Sequence, residues 1–309
     1  MDFDLLRQLT AIRGASGDES NIRDFLIQYV RKNAKNWNVQ PLILDGDEFQ
    51  DAFILIFGKP KTAVYAHLDT IGFTVGYEQN LHSIGSPTYE DGYQLVGSDS
   101  KGEIETELMV IEHEDDYPTL EYVFDRKIER GTNLTFRPNF QENEQFIQSP
   151  YLDNRLGVWT ALKLAETLQN GAIVFSTYEE HGGNTVGFCA RYLAENYQIR
   201  QALICDITWV TKGVRHGKGV AISLRDRFIP RKKFIQHIVA LALQSGIDFQ
   251  LEVESDGGSD GSTLQKSDLL IDWCFIGAPE ANAHSPRERV HKADILSMLE
   301  LYRYLMERL

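Results

Sequence analysis

Basic residues are scarce in this chain of 309 residues. Lys and Arg number 31 against 45 Asp and Glu, a formal net charge of −14. That balance repels a phosphate backbone, which argues against nucleic acid as a partner and for cations as guests. Cysteine is scarcer still: Cys189, Cys205 and Cys274 are odd in number, scattered and without CxxC spacing. Such thiols suit buried positions in a reducing compartment and speak against a disulfide framework or a cysteine-built zinc site. No apolar run approaches the roughly 20 residues needed to cross a bilayer. The opening MDFDLLRQLT has neither a positive n-region nor an apolar h-region. A cytoplasmic protein with no membrane partner is therefore expected, and neither internal repeats nor low-complexity tracts interrupt it.

What is present is a chain long enough to bury a full core, and its length favours one large domain or one domain carrying a smaller insert. Ile22, Phe25, Leu26, Tyr29 and Val30 recur at helical spacing behind Asp18 and Glu19, whose charges suit a helix N-terminus. PLILD, AFILIF and TAVYA read as strands, the last bringing His67 to its end. Between about Val75 and Ser149 the pieces YQLVG, ELMVIEH and LEYVF are separated by Gly, Asp and Pro, with no helical period. From Tyr151 onward, helix-period LGVWTALKLAETL, FCARYLAE and FIQHIVALAL alternate with apolar AIVFSTY, ALICD and FQLEVE. This alternation predicts an α/β fold: a mixed, largely parallel sheet sandwiched by helices, formed by residues 1–74 and 150–309. Residues 75–149 are expected to form an inserted small β-rich domain, without supplying metal ligands. Ligands of such sheets bind beyond the carboxyl ends of the strands.

Five segments place acids or imidazoles at those ends. AVYAHLDTIGF sets His67 and Asp69 two residues apart, hence on one face of a strand. Asp69 then either bonds a turn or orients His67 as a metal ligand. SPYLDNRLG puts Asp153 before a helix, where it could simply be an N-cap. VFSTYEEHGG ends an apolar strand in Glu179 and Glu180, whose mutual repulsion needs a cation or a shared proton if it is not a solvated loop. ALICDITW ends four apolar residues in Asp206, and GAPEANAHSPRERV holds His284 in a loop with no apolar face to pack. Each has an ordinary reading alone, but together they make a donor set. His67, Asp153, Glu180, Asp206 and His284 suffice for two divalent ions sharing a bridging carboxylate. Glu179 is left uncoordinated, where a general base belongs.

These motifs resemble the glutamyl/deblocking (tetrahedral) aminopeptidases, a family of co-catalytic dinuclear metallopeptidases with a zinc-peptidase-like fold. The likeness runs in order from AIRGASGDE through AHLDTIGF, SPYLDNRLG, STYEEHGG, CDITW, HGKGVAISLRD and GGSDGSTLQ to AHSPRERV. It implies that His67 binds one metal, Asp153 bridges both, Glu180 and Asp206 bind one each and His284 completes the set. Asp69 sits behind His67, and Glu179 acts as base. Thr70 stands where the family has an acid, His181 stands where it has an apolar residue, and the insert is short. In relatives that insert helps to build a tetrahedral assembly, so a homo-oligomer is implied.

The expected function is a metallo-aminopeptidase that removes residues from the free N-terminus of peptides with two zinc or cobalt ions. An alternative is a deacylase or carboxypeptidase-like amidohydrolase on the same metal pair. Its mark would be a basic residue reading a substrate carboxylate, for which Arg155 and Arg287 are candidates. A third reading, a metal-binding scaffold without catalysis, has no use for an uncoordinated Glu179.

Overall fold

The computed structural model describes residues 2–114, 117–183 and 185–309. Among them are two sheets, one of eleven strands and one of six. The centre of the larger sheet is parallel: Gly171–Ser176, Ala63–His67, Gln201–Trp209 and Asp272–Ala281 lie side by side and point the same way. Strands FILIF, AVYAH and GAIVFS are buried at every position, as expected where helices cover both faces. The flanks run the other way, with Phe53–Phe57 antiparallel to Gly171–Ser176 and Arg289–His291 antiparallel to Asp272–Ala281.

Antiparallel pairings outnumber parallel ones six to four in this sheet, so the expected largely parallel sheet is corrected to a mixed, mostly antiparallel one. The physical reason lies in the connections. A parallel neighbour needs a crossover long enough for a helix, such as Thr185–Asn196 between two central strands. A flanking strand needs none, and an apolar strand reads the same in either direction.

The smaller sheet, from Gly72–Val75 to Asn133–Phe136, forms a β-rich subdomain around its own core of Phe73, Leu108, Tyr122, Leu134 and Phe136. The chain then returns to the larger sheet, where Phe146–Gln148 pairs with Arg289–His291. Cys189, Cys205 and Cys274 are all buried and unpaired. Among the described residues no helix is long and apolar enough to cross a membrane.

Helix Leu152–Ala165 is buried almost throughout and packs on the parallel centre. Gly157 permits the approach, because a Cβ there would collide with the Cys205 carbonyl and the Asn154 side chain. The helix also fastens the N-terminal segment. Fully buried Arg155 donates to the carbonyls of Leu9 (3.1 Å), Ile12 (3.1 Å) and Leu68.

Glu19, 1 % exposed, lies in the same region and accepts from Tyr178 N at 3.3 Å. Burial, with a smaller contribution from the Asp69 charge, pushes its pKa from the ordinary 4.5 to about 7. The folded state therefore holds a proton that the unfolded chain has already released, so this group's contribution to stability is lost as pH rises from about 4.5 to about 7. Glu19→Gln keeps the acceptor and removes the titration. Urea unfolding of wild type and variant across pH should show the variant gaining roughly 2–3 kcal/mol over wild type above pH 7 relative to their difference at pH 4. A difference that does not change with pH would contradict the assignment.

Candidate metal centre

The residues singled out in the sequence come together at one edge of the parallel strands. His67 ends Ala63–His67, and Glu179 and Glu180 follow Gly171–Ser176. Asp206 lies inside Gln201–Trp209, which runs three residues further than its apolar stretch suggests, and His284 follows Asp272–Ala281. Asp153 is not a helix cap. It and Asn154 depart from helical geometry at the start of Leu152–Ala165, and it is Asn154 Oδ1 that accepts from Gly157 N (2.8 Å). Asn154 Nδ2 also donates to the Cys205 carbonyl (2.9 Å), which fastens this turn beside Asp206. Asp153 is thereby freed to face the centre.

Two groups of ligand atoms result, each with its atoms within 4.8 Å of one another: His67, Asp153 and Asp206, and Asp153, Glu180 and His284. Asp153 belongs to both. Its Oδ1 lies 3.2 Å from His67 Nε2, and its Oδ2 lies 3.3 Å from His284 Nε2. Asp206 Oδ2 is 3.5 Å from His67 Nε2, and Glu180 Oε2 is 3.4 Å from His284 Nε2. Asp153 Oδ1 and Glu180 Oε1 are buried without a hydrogen-bond partner. Orphaned carboxylate oxygens in a dry site fit cations, and the imidazole and carboxylate donors suit two divalent ions. This is a dinuclear metal-binding site.

Both imidazoles are oriented for that use. His67 Nδ1 lies 3.1 Å from the Asp69 carbonyl, and His284 Nδ1 lies 3.1 Å from the Ser86 carbonyl. A carbonyl only accepts, so each Nδ1 donates, and Nε2 is the nitrogen turned to the carboxylates of the centre. Ser86 follows Leu81–Ile84 of the smaller sheet, so a residue beside that sheet braces His284. Thr88 reinforces it, with N and Oγ1 donating to the His284 carbonyl at 2.8 and 3.0 Å.

Asp69 does more than stand behind His67, from whose Nδ1 its Oδ1 is 3.5 Å away. Fully buried, it accepts from Ser16 Oγ (2.6 Å), Glu179 N (3.0 Å) and Glu180 N (3.0 Å). One carboxylate thus sets the loop bearing both glutamates.

The electrostatics report surplus negative charge. Burial first, then Asp153 and the Glu179 charge, push the Glu180 pKa well above the usual carboxylate range. Burial likewise raises Glu179, with Asp206, Asp260 and Asp69 adding to it and His67 opposing. Burial alone would lower the His67 pKa, yet Asp206, Asp153 and Asp69 hold it well above its ordinary value. Glu179 Oε2 is 4.0 Å from His67 Nε2 and outside both ligand groups.

A cleft of about 800 Å³ opens on this centre. The carboxylate readers proposed for the alternative enzyme are engaged elsewhere: Arg155 with three backbone carbonyls, Arg287 with Glu90 (2.8 and 2.9 Å) and Tyr93 Oη (3.0 Å). Thr70 holds Gly14 through N (2.9 Å) and Oγ1 (3.2 Å), and His181 Nδ1 accepts from Gly85 N (3.0 Å) rather than lining the cleft. Sequence reasoning missed two carboxylates, Glu280 and Glu288, both buried. Glu288 Oε2 accepts from Asp153 N at 3.2 Å. The signal for Glu280 was an acid within the apolar strand CFIGAPEA.

Residues 97–301 match the model of the M42 glutamyl aminopeptidase family. FrvX of Escherichia coli (strain K12) is 23 % identical over 349 residues, covering 98 % of this chain and 94 % of that protein. Aminopeptidase APDkam598 of the archaeon Desulfurococcus kamchatkensis superposes with a TM-score of 0.84 at 21 % identity, over 99 % of this chain and 94 % of that one. The TET1 peptidase of Pyrococcus horikoshii does so with 0.80 at 20 % identity, over 99 % of both. The two structural likenesses speak to the fold.

The Asp69 contacts generate a prediction. In Asp69→Asn one oxygen becomes an NH2 group facing a backbone N–H, so the glutamate loop loses an anchor while every ligand survives. Residues that orient metal ligands typically contribute about 10–100-fold to metal affinity or activity. Zinc titration calorimetry of the variant should show a loss of that size, and unchanged affinity would show that the loop holds without Asp69.

Proposed function

We infer the division of labour at this centre from one premise: the chain belongs to the M42 glutamyl aminopeptidase family and is a metal-dependent aminopeptidase with a dinuclear metal site. In this reading His67 and Asp206 would hold one ion and Glu180 and His284 the other, with Asp153 contributing to both. The observation that carries it is the pair of Asp153 oxygens, each turned to a different imidazole at 3.2 and 3.3 Å. Imidazole and carboxylate donors favour zinc, with cobalt a second candidate. When bound, the ions would polarise the scissile carbonyl and lower the pKa of the attacking water.

Glu179 would serve as the general base, accepting a proton from the attacking water and passing it to the leaving amine. Burial raises the Glu179 pKa above the ordinary carboxylate range, which makes it a stronger proton acceptor. Asp69 keeps Glu179 and Glu180 in register by holding both amides. Residues 1–74 and 150–309 carry the reaction in this reading, and 75–149 form the insert that holds His284 through Ser86.

The substrates are peptides with a free N-terminus. Assembly into a homo-oligomer is supported by the TET1 peptidase, described as assembling into a tetrahedron or an octahedral shell. The cysteine pattern supports a cytoplasmic location. The deacylase or carboxypeptidase-like reading lacks a free base at Arg155 and Arg287.

The two adjacent glutamates should separate cleanly. Glu179→Gln is expected to keep its metal and lose turnover by about 10²–10⁴-fold, the usual contribution of general acid–base catalysis. Glu180→Gln removes an anionic ligand, so part of its defect should return with excess metal. Bound metal and peptide turnover measured for both variants across a metal titration test this. Rescue of Glu179→Gln by metal would mean that the two roles are reversed.

A further inference from the structure

Beyond the metal ligands and Glu179, the cleft is lined by carboxylates that have no ion partner. Asp226, Glu252 and Asp260 line it and are 9 %, 4 % and 2 % exposed. Asp260 receives Ser176 Oγ on Oδ2 (2.5 Å), but its Oδ1 is buried with no partner. Two bases are among the described residues lining the cleft, Arg227 and Lys266, and both are exposed. Half-buried Arg225, whose charge reaches Asp226, spends its Nε on the Asp226 and Glu254 carbonyls (3.0 and 3.2 Å), and buried carboxylates without a close ion pair are destabilising unless a cation arrives. Burial accordingly raises the pKa values of Asp226 and Glu252, and that of Asp260 to about 7.

The wall also offers a surface for the apolar part of a cationic guest. Asp226 Oδ1 accepts from Phe228 N (2.6 Å), and both residues line the cleft. The exposed Lys266 ammonium lies 4.7 Å from the Phe228 ring centroid, so this ring binds a cation, and a cationic guest takes the place of that ammonium there. Glu252, held by Thr208 Oγ1, completes the negative end.

We propose that this cleft selects peptides whose first residue is lysine or arginine, with the aliphatic stem along Phe228 and the charged head at Asp226 and Glu252. The inference rests on the aminopeptidase reading above and names its substrate class. Asp260 lines the same cleft and adds to the field that draws the side chain in.

The test is a panel of fluorogenic aminoacyl amides of Lys, Arg, Leu and Glu with zinc- or cobalt-loaded enzyme. A charge-assisted contact in a desolvated pocket should place kcat/KM for Lys and Arg about 10-fold or more above Leu, with Glu lowest. Glu252→Gln and Asp226→Asn should each lower the Lys and Arg values by about 10-fold and leave Leu within about 2-fold. Leu or Glu equal to or ahead of Lys in the wild type overturns this inference alone. Equal losses for Leu and Lys in a variant that melts like wild type overturn the assignment of the wall. Should one variant not fold, the other and the wild-type panel decide. Hydrolysis of none of the four substrates overturns the aminopeptidase reading and this inference with it.

Discussion

The carboxylate of Asp69, fully buried, holds three parts of the chain in one place. Ser16 ties it to the N-terminal segment, the amides of Glu179 and Glu180 tie it to the loop after a central strand, and its own carbonyl meets His67 Nδ1. A buried anion persists only where donors surround it. Burial would raise its pKa, yet His67, Ser16 and the Glu180 amide hold it below the ordinary value. The group therefore stays charged, and its geometry is fixed by what it must satisfy. Removing it would leave two amides and the Ser16 hydroxyl unpaired, well before any ligand was touched.

Around that anchor the centre is electrostatically incomplete. Asp153, Glu179, Glu180 and Asp206 crowd two imidazoles at the mouth of the parallel strands; burial and then like charges raise the pKa values of Glu179, Glu180 and Asp206, while against burial the two imidazoles hold Asp153 below the ordinary carboxylate range. Protonation would relieve the repulsion, and so would divalent cations. The rigidity of the surroundings favours the second solution, because each donor is braced from behind: His284 by Ser86, Asp153 N by Glu288, and the Asp153 turn by Asn154. The packed helix Leu152–Ala165, admitted by Gly157, keeps that turn against the strand that carries Asp206. Fold and site thus share one constraint, a pre-formed set of anions that the core does not let relax.

Much of this was legible in the sequence because acids and imidazoles after apolar runs are chemically out of place. HLD, LDN, EEH, CDI and AHSP mark the centre for that reason. Sheet direction was not legible, since FILIF reads alike whether its neighbour runs parallel or antiparallel. Nor was the division between Asp153 and Asn154, where two adjacent capping-competent residues split the work and only geometry shows which one caps. Arg155 looked like a reader of substrate carboxylate because sequence carries no burial, whereas its guanidinium is consumed by backbone carbonyls. Glu280 and Glu288 were passed over for the opposite reason, as acids in a stretch that reads as strand and loop.

Metal stoichiometry of the Asp153→Asn variant tests the central claim most directly. If one carboxylate serves both ion positions, mass-spectrometric metal analysis should find two ions per chain in the wild type, one in His67→Ala or His284→Ala, and fewer than one in Asp153→Asn. Asp153→Asn retaining one tightly held ion, like the histidine variants, would contradict the shared bridge.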